Sequence, residues 1–290
     1  MKKEKEKVSD TLVPAIFFGI FLLWSMGGLA QEFEGARGIA LSGALRGTVG
    51  LNEAIYYNPA AFAFNQRYSI EAQSFYVPSQ DTPSTWGYNA SVLDTHNDFL
   101  AAGFGYTRKT RDKETMNAFH LAASKIFGEF ISIGLTGKYF LVNHPTQDQQ
   151  VLNFDLGTFG VLTPDLQVGL IAYNLLGDKR SPSQNFLTQR QLGFGSRLRI
   201  WKFLYGSLDF LKRARGNLNK DFSVHGALEI IRNNGVVVQG GLSLSDQKAK
   251  NFYSLGLSWS EHKFGISYAF QNSLNSRRNN THALSLRVFF

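Results

Sequence analysis

Apolar and polar positions alternate through most of this chain, in runs of about ten residues separated by polar breaks. Successive side chains of a strand point to opposite faces, so each run reads as a strand with one apolar and one polar face. The first half predicts Arg67–Val77, Thr85–Leu93, Phe99–Thr107, Thr115–Ile126, Phe130–Val142, Val151–Leu162 and Leu166–Leu175. The second half predicts Leu187–Ile200, Phe203–Lys212, Asp221–Ile231, Val236–Ser245, Asn251–Ser260, Lys263–Asn272 and Thr281–Phe290. Odd-to-even breaks are long and polar, as in Pro78–Ser84, Arg108–Glu114 and Gly177–Phe186. Even-to-odd breaks shrink to turns such as Gly128-Glu129, Trp201-Lys202 and Glu261-His262. Tight turns alternating with longer loops over an even strand number predict an all-β fold, a fourteen-stranded antiparallel transmembrane β-barrel.

The two faces of each strand sharpen that expectation. In the closing strand, Leu284, Leu286, Val288 and Phe290 share one face, while Ala283, Ser285, Arg287 and Phe289 share the other. Elsewhere Ile131, Ile133, Leu135 and Tyr139 oppose Ser132, Gly134, Thr136 and Lys138. Apolar side chains outside and small or polar ones inside suit a sheet closed on itself in hydrocarbon, where no strand edge is left unpaired. A soluble sandwich would have to bury all the aromatic residues in one core. Phe159, Val161, Ile171 and Tyr173 break the rule by falling on the inner face. They mark either a bulge or an apolar inner patch that holds another segment or an apolar ligand.

Before Arg67 the period-two pattern is absent. Residues 1–30 read as a signal peptide: a lysine-rich start, the apolar run Leu12 to Trp24, and Gly28-Leu29-Ala30 before a cleavage site. Residues 31–66 predict a short helical and turn segment, and residues 67–290 the barrel. The closing Phe290 is expected to serve as a signal to barrel-assembly machinery, and outer-membrane lipids are the expected surroundings.

Composition changes the picture mainly by exclusion. Twenty-eight glycines and 25 phenylalanines against 7 prolines suit closely packed strands, and with no cysteine there is neither a disulfide nor a thiolate metal site. The net charge of +8 comes from scattered residues rather than from one helix face, so nucleic-acid binding is not expected. His96, His120, His144, His225, His262 and His282 are far apart and form no HExxH pattern. No catalytic residue, metal or cofactor is expected. The inward-facing Glu71, Lys138, Asp155, Arg197, Arg199, Asp209, Glu229 and Arg287 predict a mixed-charge lumen wall, within which Arg197, Arg199 and Arg287 could favour anions.

Residues 35–44 (GARGIALSGA) and 52–61 (NEAIYYNPAA) resemble the N-terminal signature of the FadL-type and PorV-type outer-membrane barrels, a "GAR…AL.GA" segment followed by "A..YNPAG". The resemblance implies a fourteen-stranded porin-like barrel whose N-terminal segment enters the lumen as a plug, carried here by Arg37, Ile39, Leu41, Leu45, Asn58 and Pro59. It also implies passage of small or apolar solutes. A competing expectation is a structural homo-oligomer whose barrels pack side by side around lipid, through small outward residues such as Ala102, Ala123, Ala172, Ser196, Gly226 and Gly240.

Overall fold

The computed structural model describes residues 35–78, 84–96, 99–145, 148–177, 185–213, 222–245, 251–274 and 280–290. The predicted signal peptide lies outside these residues. Fourteen strands follow in order: β1 (Tyr68–Val77), β2 (Thr85–Asp94), β3 (Ala101–Arg111), β4 (Glu114–Phe127), β5 (Ile131–Asn143), β6 (Gln149–Thr163) and β7 (Leu166–Tyr173). The series continues with β8 (Gln191–Trp201), β9 (Leu204–Arg213), β10 (Phe222–Ile231), β11 (Val236–Ser245), β12 (Phe252–Ser260), β13 (Phe264–Ser273) and β14 (Asn280–Phe289). Each pairs antiparallel with its neighbours in sequence, and β14 returns to β1 to close the barrel. Ala72 stands opposite Leu286 and Glu71 opposite Arg287 across that seam. The Phe290 N–H donates to the Tyr68 carbonyl at 3.0 Å, which extends the seam to the last residue.

Side-chain burial follows the predicted alternation. Leu284, Leu286 and Val288 are exposed on the outer face of β14, while Ser285 and Arg287 are buried inside. The outer face ends in aromatic residues at both rims. Trp86, Tyr88 and Tyr253 mark the rim with the longer loops; Phe130, Trp201, Trp259 and Phe264 mark the rim with the short turns. Rings at headgroup depth are what flank the apolar band of a membrane barrel. The small outward residues lie on β3, β4, β7, β8, β10 and β11, with Ala102 directly opposite Ala123.

Two departures from the predicted strands shape the lumen. The connection expected from Arg108 to Glu114 is a two-residue turn, because Thr110 pairs with Thr115, Arg111 pairs with Glu114, and Asp112 adopts φ 52°. Strand β7 stops at Tyr173 instead of Leu175, where Asn174 turns into the left-handed region at φ 55°. Beyond it the Leu175 N–H still donates to the Phe154 carbonyl (2.8 Å), while the N–H groups on either side of it turn to side chains of β6. Asp155 Oδ1 accepts from the Asn174 N–H (2.8 Å), and Asn153 Oδ1 accepts from the Leu176 N–H (3.1 Å). Leu187, predicted to open strand eight, instead lies in a four-residue helix (Asn185–Thr188) and packs in a buried cluster with Met116, Phe140 and Val142.

The outer face gives a direct test. Leu255→Arg, on the lipid face of β12, is expected to cost about 2–4 kcal/mol in urea unfolding from lipid vesicles. Ser258→Arg, with the opposite parity on the same strand, is expected to cost less.

Candidate functional site: the segment inside the lumen

Residues 35–65 fill the barrel interior. Helix α1 (Ala36–Ala40), helix α2 (Ala54–Tyr57) and a 3-10 turn (Pro59–Phe64) are joined by tight turns and are buried almost throughout. Small side chains allow this. Ala36, Gly38 and Ala40 keep α1 narrow, and the chain then reverses through Ser42 (φ 48°) and Gly43 (φ 84°). The Gly43 N–H donates back to the Gly38 carbonyl at 2.8 Å, which closes the end of the helix. Asn58 starts the 3-10 turn, its Oδ1 accepting from the Ala60 N–H at 3.2 Å, and Pro59 takes the first position, where no donor is needed.

The wall accepts the segment through inward glycines. A Cβ on Gly134 would strike the Pro59–Ala60 backbone, one on Gly169 the Arg46 carbonyl, and one on Gly241 the backbone at Leu41–Ser42. Gly195 and Gly47 meet backbone to backbone, so neither tolerates a side chain. Where glycine is absent, hydroxyl groups reach the segment's carbonyls. Ser132 Oγ donates to Ala60 O (2.6 Å), Thr136 Oγ1 to Ile55 O (3.1 Å), Ser254 Oγ to Ala40 O (2.9 Å) and Tyr173 OH to Tyr57 O (2.5 Å). Short helices leave carbonyls without internal partners, and the wall supplies them.

Three charged groups of the segment meet opposite charges on the wall. Arg37 lies 3.6 Å from Glu229, which also pairs with Arg197 and accepts from Gln239 Nε2 at 2.7 Å. Arg46 donates from its backbone N–H (2.8 Å) and from Nη1 (3.2 Å) to the same oxygen of Asp209. Its guanidinium lies 5.6 Å from the ring centres of both Tyr57 and Tyr173. Glu53 accepts from Arg287 at 2.8 Å, beside Glu71 at 2.6 Å. Two further pairs leave the segment alone. Lys138 bridges Asp155 (2.9 Å) and Asn174 (2.7 Å), and Arg199 pairs with Asp165 at the rim. Arg199 is thus a rim residue, 39% exposed at its side chain, rather than part of the enclosed wall. Arg197, Arg199 and Arg287 each face a carboxylate, so they form no unpaired basic stripe.

Of the expected segment residues, Leu41 and Leu45 join a buried cluster with Ile55, Tyr57, Phe62, Leu93 and Phe159. Ile39 packs with Phe75, Ala269 and Ala283 on the opposite side. Asn58 ties the segment to itself and to β6, its Nδ2 donating to Arg46 O (2.9 Å) and Thr158 O (3.1 Å). The inward patch on β6 and β7 receives the segment: the Phe64 and Phe159 rings lie 5.6 Å apart, and Ile171 and Tyr173 are buried beside Arg46. A register shift between Val161 and Thr163 accompanies it. Sequence reading missed Arg46 and Glu53. The available signal was their charge, because a charged residue in a segment assigned to a lumen needs an opposite charge across from it.

These features define a membrane-spanning barrel with an ordered luminal segment, and the fold is that of the FadL-type outer-membrane barrels. No protein-family model matches the sequence, and no curated protein sequence matches it. Among solved structures, the chain is similar to the CymD monoaromatic hydrocarbon channel, with a TM-score of 0.68 and 11% identity over 90% of this chain and 98% of that one. It is also similar to the toluene transporter TbuX of Ralstonia pickettii, with a TM-score of 0.67 and 11% identity over 89% and 98% of the two chains. A Pseudomonas aeruginosa FadL homologue gives a TM-score of 0.62 and 11% identity over 91% and 99%.

The Arg46–Asp209 pair yields a prediction by double-mutant cycle. Asp209→Leu leaves Arg46 buried without its partner and is expected to cost about 3–5 kcal/mol in urea unfolding. Arg46→Met with Asp209→Leu is expected to recover most of that loss.

Proposed function

We propose that the protein is an outer-membrane channel for small apolar solutes whose resting lumen is closed by residues 35–66, the segment acting as a plug. The observation that carries this reading is the seating of the segment: its backbone lies against inward glycines, and its three charged residues meet opposite charges on β9, β10 and β14. A lumen filled this way passes nothing unless the segment shifts. Two of the similar structures are named a monoaromatic hydrocarbon channel and a toluene transporter, and such compounds are the solute class to test first. Apolar inner surface is present in the cluster of Met116, Phe140, Val142 and Leu187 and in the patch around Phe159 and Ile171. Transport, not catalysis, is the activity this reading assigns, and export through the signal peptide delivers the chain to the outer membrane.

Planar-bilayer recording tests the closure. The intact protein is expected to show little steady conductance, and deleting Gly35–Ala61 is expected to open a large one. Unchanged conductance in a deletion variant that stays folded would show that the segment does not close the lumen. Uptake of toluene by vesicles carrying the intact protein, above that of empty vesicles, tests the solute class.

The terminal residue gives a separate prediction. Phe290 extends the seam and its ring lies 5.5 Å from that of Tyr68. Deleting it is expected to lower the amount of membrane-inserted protein severalfold without changing conductance per inserted barrel. Normal membrane levels would count against a role for Phe290 in assembly.

A further inference from the structure

Where β14 meets β1, the lumen holds more negative charge than the described residues neutralise. Glu53 and Glu71 both accept from one nitrogen of Arg287, Nη2, at 2.8 and 2.6 Å. Ser285 Oγ donates to the same oxygen of Glu71 at 2.6 Å. The second oxygen of each carboxylate is buried and has no partner among the described residues. Ser91 stands directly across from Glu71 in the β1–β2 register, is 1% exposed, and its hydroxyl is also without a partner. One inward position along, Asn89 Oδ1 is in the same condition, while Asn89 Nδ2 donates to Tyr56 OH at 2.6 Å. The other titratable groups facing this corner are the Tyr56 phenol and, against its ring at 4.8 Å, the His120 imidazole. Two carboxylates against one guanidinium leave one negative charge in a buried site, and carboxylates that share a site do not both ionise without a further cation.

We propose that the Glu53–Glu71–Arg287 corner binds one exchangeable positive charge, a proton or a dehydrated alkali-metal ion, at the free carboxylate oxygens beside Ser91. A proton would sit on one of the two carboxyl groups. An alkali-metal ion would take the all-oxygen shell that hard cations prefer. In either form the charge fastens the luminal segment to the barrel seam, since Glu53 belongs to the segment and Glu71 and Arg287 to the two strands that close the sheet. The inference does not depend on conduction through the lumen, and a failed channel assay would leave it standing.

Urea unfolding of the full chain in detergent is the test, in sodium, potassium or choline chloride at equal ionic strength and at two pH values, near 5.5 and near 8. A proton held in the folded state but not in the unfolded chain makes stability fall as pH rises above the ordinary carboxylate range. The unfolding constant then increases about tenfold per pH unit until the site loses its proton. An alkali-metal ion instead gives saturable stabilisation by sodium or potassium over choline near pH 8. Either response should vanish in Glu71→Gln, which removes the surplus charge; if that variant does not fold, Glu53→Gln removes the same charge from the segment side. Infrared spectroscopy of the unaltered protein should show a deuterium-sensitive carboxylic-acid band in the proton case. Parallel behaviour of the unaltered protein and a folded glutamine variant in every buffer overturns the proposal, as does the absence of both the band and any alkali-metal response in the unaltered protein.

Discussion

A closed sheet of fourteen strands encloses more space than its inward side chains can fill, and protein interiors do not stay empty. The rest of the structure answers that constraint. The wall is lined with glycine, serine and threonine, which enlarge the space further and make it polar. The vacated volume is taken by the chain's own N-terminal residues, whose small side chains let backbone lie against backbone at Gly47 and Gly195. Wall and segment are therefore complementary in volume. Enlarging either one at such a contact displaces the other.

Filling the lumen with chain brings the chain's charges inside, and they are matched across the contact instead of along the segment. Arg46 finds Asp209, Arg37 shares Glu229 with Arg197, and Glu53 shares Arg287 with Glu71. A buried pair with well-made hydrogen bonds adds little net stability, yet losing one partner is costly. Such pairs therefore fix position more than they add stability. They specify one seating of the segment among the many that small apolar residues alone would allow.

Much of this was legible in the residues. Period-two alternation placed all fourteen strands, because it depends only on local geometry; the alternating length of the breaks placed the rims except at the β3–β4 connection, which is a two-residue turn. Strand β7 was less legible: its end is marked by Asn174 and by side chains of β6 that accept from the Asn174 and Leu176 N–H groups, a tertiary arrangement with no local pattern. Leu187 misled for a related reason, since an apolar residue before an alternating run looks like the first residue of a strand. The site residues Arg46 and Glu53 were hidden because their partners lie 163 and 234 positions away.

That last separation bears on how the molecule is put together. Glu53 precedes Arg287 by 234 positions, so the link between them cannot form until β14 is in place. Contacts of such long reach carry a large loop-closure cost and form late. Until β14 arrives, the segment carries an unmatched carboxylate beside an open sheet edge at β1. Seating of the segment and sealing of the wall therefore meet at one residue, Arg287, which holds Glu53 of the segment and Glu71 of β1 together.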